Sequence, residues 1–254
     1  MLETRDLTIR FGGHVAVNAV SCAFAPGTLT AIVGPNGAGK TTYFNLISGQ
    51  LKATEGTVWL DGQPLSGLPA SARTRAGLGR AFQLTNLFPH LSVLENVRLA
   101  VQATREGPHR RGLNLWSIWS DHRSLTERAD QILADVALKA KEHATVASLP
   151  HGDQRKLEVA LLMALEPKVF MFDEPTAGMN AAEAPVILDL IRALKKDKSK
   201  TILLVEHKMD VVRELADRII VLHNGQLVAD GEPAEVIASP VVQEAYLGVS
   251  KEAA

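Results

Sequence analysis

The feature that most constrains this chain is a glycine-rich segment between an apolar stretch and a helical pattern. It follows Thr28–Val33, opens the pattern FNLISG, and consists of Gly34, Pro35, Asn36, Gly37, Ala38, Gly39, Lys40, Thr41 and Thr42. Glycines let backbone N–H groups turn inward on phosphate oxygens, and a helix N-terminus adds the positive end of its dipole. The lysine reaches the outer phosphates and Thr41 offers a hydroxyl to Mg²⁺. The segment predicts a phosphate-binding loop for a nucleotide.

The distribution of apolar stretches predicts an α/β core. Three β-branched stretches, Thr28–Val33, Val169–Phe172 and Thr201–Val205, are each followed by a turn or a helical pattern. This alternation is typical of a parallel sheet covered by helices. Three further strand patterns predict an antiparallel flank beside that core: Leu2–Phe11, Val15–Phe24 and Gly56–Leu60.

Helical patterns dominate residues 92–149. Ser92 followed by Glu95 is typical of a capping box at a helix start, and LTERADQILADVAL predicts a second helix. Between these helices, the insertion 106–122 contains Trp116 and Trp119. Its composition fits either a surface insertion or an element that docks a partner.

The chain therefore divides into three predicted parts within one domain, 1–254. Residues 1–91 and 150–235 form the catalytic α/β core, and 92–149 form a helical subdomain. The core ends in a hairpin with Asn224–Gly225 at its turn, because that dipeptide favours tight turns. A helical tail, 236–254, ends the chain.

Composition excludes several classes of protein. The 27 basic and 28 acidic side chains give a net charge of -1, so no basic excess recruits nucleic acid. Cys22 is the only cysteine, which excludes an intramolecular disulfide and suits a reducing cytosol. No apolar run approaches the ~18 residues of a membrane span, so we expect any membrane role to depend on another subunit.

Two acidic residues follow a buried strand pattern. Asp173 and Glu174 come directly after Val169–Phe172, at the sheet edge where such folds bind ligands. Beside a phosphate loop, Asp173 is suited to hold Mg²⁺ and Glu174 to polarise the water that attacks the γ-phosphate.

The order of these motifs resembles that of ABC transporter ATPases over nearly the whole chain. Further elements of the resemblance are Gln83 after Gly79-Arg-Ala-Phe82, the segment Leu149–Gln154, the segment Thr176–Asn180, and Glu206-His207. The resemblance implies a P-loop NTPase fold of the ABC ATPase type, with ATP and Mg²⁺ as cofactors. It also implies that Gln83 links Mg²⁺ and the attacking water to a membrane partner, and that His207 contacts the γ-phosphate.

The same resemblance implies two further nucleotide contacts. Phe11 aligns with an aromatic that stacks on adenine, although its aromatic ring also suits core packing. The segment Leu149–Gln154 aligns with the signature loop that caps the ATP of an opposite subunit, so two sites need two subunits. The residues expected to contact that ATP are Pro150, His151, Gly152 and Asp153.

This signature loop departs from the commonest form, LSGGQ. Pro150 removes a serine hydroxyl, His151 replaces a glycine, and Asp153 stands where glutamine is usual; Asn180 likewise replaces an aspartate. Proline has neither a hydroxyl nor an N–H, whereas Gly152 and the helix starting there still supply backbone donors.

These departures, with the insertion and the Ala245-Tyr-Leu-Gly ending, resemble the longer ATPase of branched-chain amino acid importers. The implied partners are membrane permease subunits and, indirectly, a solute-binding protein, which places the chain on the cytoplasmic face of the plasma membrane. Urea, amides and aromatic acids are alternative cargoes, and lipopolysaccharide export is an alternative process. The second ATPase is either an identical chain or a homologue. A soluble ABC ATPase of DNA repair or translation is disfavoured, since the chain has no basic excess or zinc ligands.

The apolar residues after Gln83 have two readings. Leu84, Leu87, Phe88 and Leu91 surround a proline and suit the passage of motion to a cytoplasmic helix of a membrane subunit. They suit packing within the helical subdomain equally well.

Overall fold

The computed structural model describes residues 1–81, 87–105, 123–179 and 183–247. Its strands are β1 (Leu2–Phe11), β2 (His14–Phe24), β3 (Leu29–Val33), β4 (Glu55–Leu60), β5 (Gln63–Pro64), β6 (Leu78–Ala81), β7 (Val169–Asp173), β8 (Thr201–Val205), β9 (Arg218–His223) and β10 (Gln226–Gly231). Its α-helices are α1 (Lys40–Ser48), α2 (Ala70–Ala76), α3 (Val93–Arg105), α4 (Arg123–Asp135), α5 (His151–Ala164), α6 (Ala184–Lys195), α7 (Met209–Leu215), α8 (Pro233–Ala238) and α9 (Pro240–Leu247).

The chain forms two compact units. The first unit comprises residues 1–80, 168–174 and 194–254, and the second comprises 81–167 and 175–193. The segment predicted as a helical subdomain, 92–149, lies in the second unit. That unit also includes residues 81–91, 150–167 and 175–193, which the sequence predicts to be part of the core. The insertion 106–122 lies outside the described residues.

The core of the first unit is a six-stranded sheet with the strand order β10-β9-β3-β8-β7-β6. Strand β3 pairs in parallel with β8 and β9, and β7 pairs in parallel with β8. The register sets both Ile32 and Asp173 opposite Val205, so β3, β7 and β8 end at one edge. All five residues of β3 and of β8 are buried, as expected for strands covered on both faces. The predicted parallel core is confirmed.

The predicted antiparallel flank is also confirmed, as a sheet in the order β2-β1-β4-β5. Strand β1 has the predicted bounds, but its pairing with β2 contains register shifts. Asp6 and Ala19, with φ of 48° and 50°, adopt the left-handed conformation beside these shifts. Irregularities of this kind bend the strands. One hydrophobic cluster contains buried residues of both sheets and of α1, such as Phe24, Phe44 and Ile220.

The turn between β9 and β10 touches two other parts of the first unit. Asn224 and Gly225 both have positive φ, 48° and 75°, which confirms the predicted tight hairpin. The Gly225 amide donates to the Ala38 carbonyl at 3.1 Å, and the Asn18 amide donates to the Gly225 carbonyl at 2.8 Å. The hairpin tip is therefore bonded both to the glycine-rich loop and to β2.

Helices α3, α4 and α5 pack on one another in the second unit. The Ser92 amide donates to Glu95 Oε2 at 2.8 Å, and the Glu95 amide donates to Ser92 Oγ at 3.2 Å, so the predicted capping box is confirmed. Within the described ranges, none of the helices has the length and apolarity needed to cross a bilayer.

Candidate functional site

The glycine-rich loop connects the buried strand β3 to helix α1, as predicted. Gly34, Gly37 and Gly39 have φ of 151°, 79° and 95°, a backbone region that other residues rarely adopt. A Cβ on Gly34 would lie 2.1 Å from the Leu222 carbonyl oxygen, and one on Gly39 would lie 2.4 Å from the Ala16 carbonyl oxygen. Both neighbours are backbone, so these two positions require glycine.

Lys40 folds back over this loop. Its Nζ donates to the carbonyl oxygens of Gly34 at 2.7 Å and Pro35 at 2.9 Å, and the residue is 8% exposed. Burial lowers the pKa of Lys40, while Glu174 and Asp173 oppose that shift. The ammonium group is thus held by acceptors that a phosphate can replace.

Thr41 and Thr42 follow the lysine in the first turn of α1. Thr41 is exposed and Thr42 is half-buried. The exposed hydroxyl of Thr41 is the one that the motif assigns to Mg²⁺.

Asp173 ends β7 and is paired with an arginine. Its Oδ2 accepts from Arg80 Nη2 at 2.8 Å, and the two side chains are 9% and 8% exposed. Burial raises the pKa of Asp173, and the positive charge of Arg80 works against that rise. Arg80 is not predicted as a site residue by the sequence, in which Gly79-Arg-Ala-Phe82 only precedes Gln83. Gln83 itself lies outside the described residues.

Glu174 and His207 lie near each other at the same sheet edge. Glu174 has a left-handed backbone with φ of 48°, and its amide donates to the Val205 carbonyl at 2.9 Å. Its Oε1 is 3.8 Å from His207 Nδ1, beyond direct hydrogen-bond distance. The side chains are 43% and 54% exposed, so a water molecule can reach both.

Glu206 is a second residue whose part in the site was missed. It is 1% exposed, and its Oε1 accepts from the amides of His207 at 3.3 Å and Lys208 at 3.1 Å. Its Oε2 is buried without a hydrogen bond among the described residues. This carboxylate therefore holds the backbone at which His207 leaves β8.

Phe11 ends β1, where it pairs with His14. The residue is 51% exposed. Core packing, the alternative use of this ring, is therefore not what the structure shows, and an aromatic face is left for a ligand.

The segment Leu149–Gln154 belongs to the second unit. Helix α5 begins at His151; Pro150 and His151 are exposed, whereas Gly152 and Asp153 are buried. Asp153 Oδ1 accepts from Lys156 at 3.0 Å, and its Oδ2 pairs with Lys141. Burial alone would raise the pKa of Asp153, but hydrogen bonds from the two lysines lower it below its ordinary value.

The loop and its surroundings fit a nucleotide. The backbone turns at the three glycines bring the loop against the backbone of Leu222 and Ala16, while Gly37 is open, with no atom within 4 Å of an added Cβ. Oxygen donors of Thr41 and Asp173 are of the type that Mg²⁺ prefers. No group of three or more His, Cys, Asp or Glu in the described part of the chain could hold a metal alone. Mg²⁺ commonly binds through one or two carboxylates together with substrate phosphates. Fold and site together define a nucleotide-binding protein of the phosphate-loop type.

Comparison with known families and proteins extends this class. Residues 17–177 match the model of the ABC transporter family, and residues 226–252 match a model for the branched-chain amino acid ATP-binding cassette transporter. The chain is 38% identical over 249 residues to the high-affinity branched-chain amino acid transport ATP-binding protein LivG of Escherichia coli (strain K12). That match covers 98% of each chain. The chain belongs to the ABC transporter family, and it binds and hydrolyses ATP.

Two solved structures share the fold. One is the ADP conformation of an ATP-binding cassette of an ABC transporter, 30% identical, with a TM-score of 0.80 and coverage of 98% of this chain and 99% of that one. The other is a dimeric ATP-binding cassette in a post-hydrolysis state with ADP and Pi. It is 26% identical, with a TM-score of 0.77 and coverage of 92% and 99%. The predicted ABC ATPase fold is confirmed.

Proposed function

We propose that this chain is the ATP-hydrolysing subunit of an importer for branched-chain amino acids. The observation that carries the proposal is the match to LivG, a branched-chain amino acid transport ATP-binding protein, over 98% of each chain. The match of residues 226–252 to a branched-chain amino acid transporter model supports the same cargo independently of the phosphate loop. Urea, amides and aromatic acids are the cargoes to test if this one fails, and lipopolysaccharide export is the alternative process.

The chain acts at the cytoplasmic face of the plasma membrane, where it is bound to permease subunits. Two ATPase subunits work as a pair, in line with the dimeric cassette whose fold this chain shares. The segment Leu149–Gln154 caps the nucleotide of the opposite subunit. A solute-binding protein delivers the cargo to the permease and has no direct contact with this chain.

The residues of the first unit take the following roles in the proposed reaction. The loop Gly34–Thr42 binds the phosphates, and Lys40 exchanges its two carbonyl acceptors for phosphate oxygens. Glu174 orients the attacking water and polarises it, while His207 contacts the γ-phosphate. Phe11 stacks on the adenine ring.

Mg²⁺ bound at Thr41, Asp173 and Gln83 would neutralise charge on the phosphates. Thr41 offers an exposed hydroxyl, and Asp173 keeps one carboxylate oxygen outside its pair with Arg80. Asp173 is thus oriented within the first unit before any metal arrives.

Uptake of labelled leucine tests the transport proposal. Cells of the source organism that lack the gene are complemented with the wild type, Glu174→Gln or Glu55→Gln. Glu55 is the matched control, because it is an exposed carboxylate on β4 with 62% of its side chain accessible. We expect the wild type and Glu55→Gln to restore uptake and Glu174→Gln to fail. Uptake that never depends on the gene would refute the branched-chain cargo.

The purified variants test the assigned role of Glu174. Loss of a group that orients water should lower ATP turnover by about 10²–10⁴-fold and leave ATP binding intact. Turnover near the wild-type rate in Glu174→Gln would refute the role, whereas lost ATP binding would indicate damage to the site as a whole.

A further inference from the structure

Arg80 is a buried side chain that connects three parts of the first unit. Its Nη1 lies within hydrogen-bond distance of three acceptors: Asn45 Oδ1 at 2.5 Å, Ser48 Oγ at 3.0 Å and Gln50 Oε1 at 3.0 Å. Its Nη2 donates to Asp173 Oδ2 at 2.8 Å. One guanidinium therefore ties the end of α1 and the turn after it to the end of β7.

The surroundings of Arg80 leave its guanidinium little freedom. The guanidinium carbon lies 4.9 Å from the centre of the Phe44 ring, and only 8% of the side chain is exposed. A planar fork with several donors fits this set of acceptors and the aromatic face. A lysine would keep the charge but would offer a single rotatable ammonium.

Asp173 is held through one of its two carboxylate oxygens. Oδ2 accepts from Arg80, and no hydrogen bond to Oδ1 is present among the residues that the structure describes. Oxygen Oδ1 thus remains available to a ligand while the orientation of the carboxylate is set from the other side. Partners of this kind orient metal ligands in many metal sites.

We propose that Arg80 is a positioning residue that presents Asp173 Oδ1 to the metal of a bound metal–nucleotide complex. The inference rests on the magnesium role proposed above for Asp173. Arg80 acts through Asp173 and does not itself contact the nucleotide.

Arg73 provides a matched control at the same end of α1. Its Nη1 donates to the carbonyl oxygens of Leu46 at 2.8 Å and Ile47 at 2.7 Å, and the residue is 5% exposed. No hydrogen bond in the described part of the chain links Arg73 to Asp173. Replacing either arginine by lysine removes a buried guanidinium beside α1. Only Arg80→Lys is expected to loosen the carboxylate of Asp173.

Calorimetric titration with ATP tests the inference on the full-length chain. The dissociation constant is measured in excess Mg²⁺ and in EDTA, and their ratio gives the gain in affinity that the metal provides. We expect Arg80→Lys to reduce this gain by about 10-fold or more, as for other loosened metal ligands, and to leave the affinity in EDTA unchanged. Arg73→Lys should leave the gain as in the wild type. Both substitutions preserve charge, so the difference reports on geometry.

The same titration in an Asp173→Asn background separates positioning from general stability. If Arg80 acts through Asp173, Arg80→Lys should reduce the gain no further in that background. An equal reduction of the metal-dependent gain in Arg80→Lys and Arg73→Lys would overturn the inference. So would a reduction by Arg80→Lys that persists in the Asp173→Asn background. Absence of any gain in the wild type would refute the magnesium role of Asp173 itself, and the inference with it.

A second variant keeps the test valid if Arg80→Lys does not fold. Asn45→Ala removes one acceptor of the guanidinium and leaves both Arg80 and Asp173 in place. We expect a smaller reduction of the metal-dependent gain, with thermal unfolding as the check that the protein is folded. A folded Asn45→Ala protein with the full wild-type gain would overturn the inference.

Discussion

Two segments that we propose contact nucleotide, the phosphate loop and Leu149–Gln154, hold their shapes by different means. The loop depends on its backbone: three glycines with positive φ set its course, and Lys40 bonds to its own carbonyl groups. The other segment depends on side chains, since Asp153 pairs with Lys141 and Lys156. A loop of the first kind tolerates changes in surrounding side chains but not an added Cβ at Gly34 or Gly39. A loop of the second kind should respond to the charge of its partners.

The largest expected effect is that of Gly39→Ala. The added Cβ would combine the left-handed strain with a 2.4 Å approach to the Ala16 carbonyl, so we expect the free energy of unfolding to fall by about 2–5 kcal/mol. Gly37→Ala is the control, because its φ of 79° brings strain without any contact. It should cost only about 1–2 kcal/mol. Denaturant unfolding measures both, and equal losses would mean that backbone contact is not what distinguishes Gly39.

A smaller effect is expected for Asp153→Asn, which leaves two lysines without their anionic partner. We expect a loss of about 1–3 kcal/mol in unfolding free energy, less than for a fully buried pair because Lys141 is half exposed. Denaturant unfolding measures the loss. Lys139→Gln is a control, because Lys139 pairs with Asp130 and Glu142 but not with Asp153. An Asp153→Asn protein as stable as the wild type would show that this segment does not depend on charge.

The same pair predicts a dependence on pH. The pKa of Asp153 is lower in the folded state than in the unfolded state, so the carboxylate stabilises the fold above its unfolded pKa of about 3.9. That stabilisation is lost as the pH falls through the lower, folded-state pKa. The difference in stability between the wild type and Asp153→Asn should therefore shrink as the pH drops below about 4. A difference that stays constant through that range would contradict the ion-pair explanation.

The smallest expected effect is that of Ser92→Ala, which removes a helix cap in the second unit. The Glu95 amide would lose its 3.2 Å bond to Ser92 Oγ, at a cost of about 1 kcal/mol in unfolding free energy. Because both hydrogen bonds of Ser92 Oγ in the described part of the chain are to Glu95, the effect should stay local and nucleotide affinity should not change. Hydrogen exchange of the α3 amides measures the local loss of stability. Reduced ATP binding in Ser92→Ala would contradict the expectation that this cap has only a local effect.

Features that depend on neighbouring residues could be predicted from the sequence. The bounds of β1 follow from its alternation, and the phosphate loop follows from its glycine spacing. Helix α2 was not predicted, since Arg73 is its only buried residue and no apolar stripe marks it.

Features that depend on distant residues could not be predicted in this way. Arg80 was missed because its acceptors Asn45 and Asp173 lie 35 and 93 positions away in the chain. Lys141, which lies 12 positions before Asp153, could not be assigned as its partner either, because a lysine in the sequence is usually a solvated side chain. Partners brought together by the fold are invisible to local patterns.

The turn at Asn224–Gly225 is hydrogen-bonded to two elements that are far from it in the chain, β2 and the phosphate loop. Its single glycine accepts from the Asn18 amide of β2 and donates to Ala38 of the phosphate loop. Neither element can drift away from the hairpin without breaking one of these bonds. The amides of Asn18 and Gly225 should therefore exchange with solvent deuterium as one cooperative opening event. The hairpin tip thus joins the sheet whose strand β1 ends in Phe11 to the glycine-rich loop by two backbone hydrogen bonds.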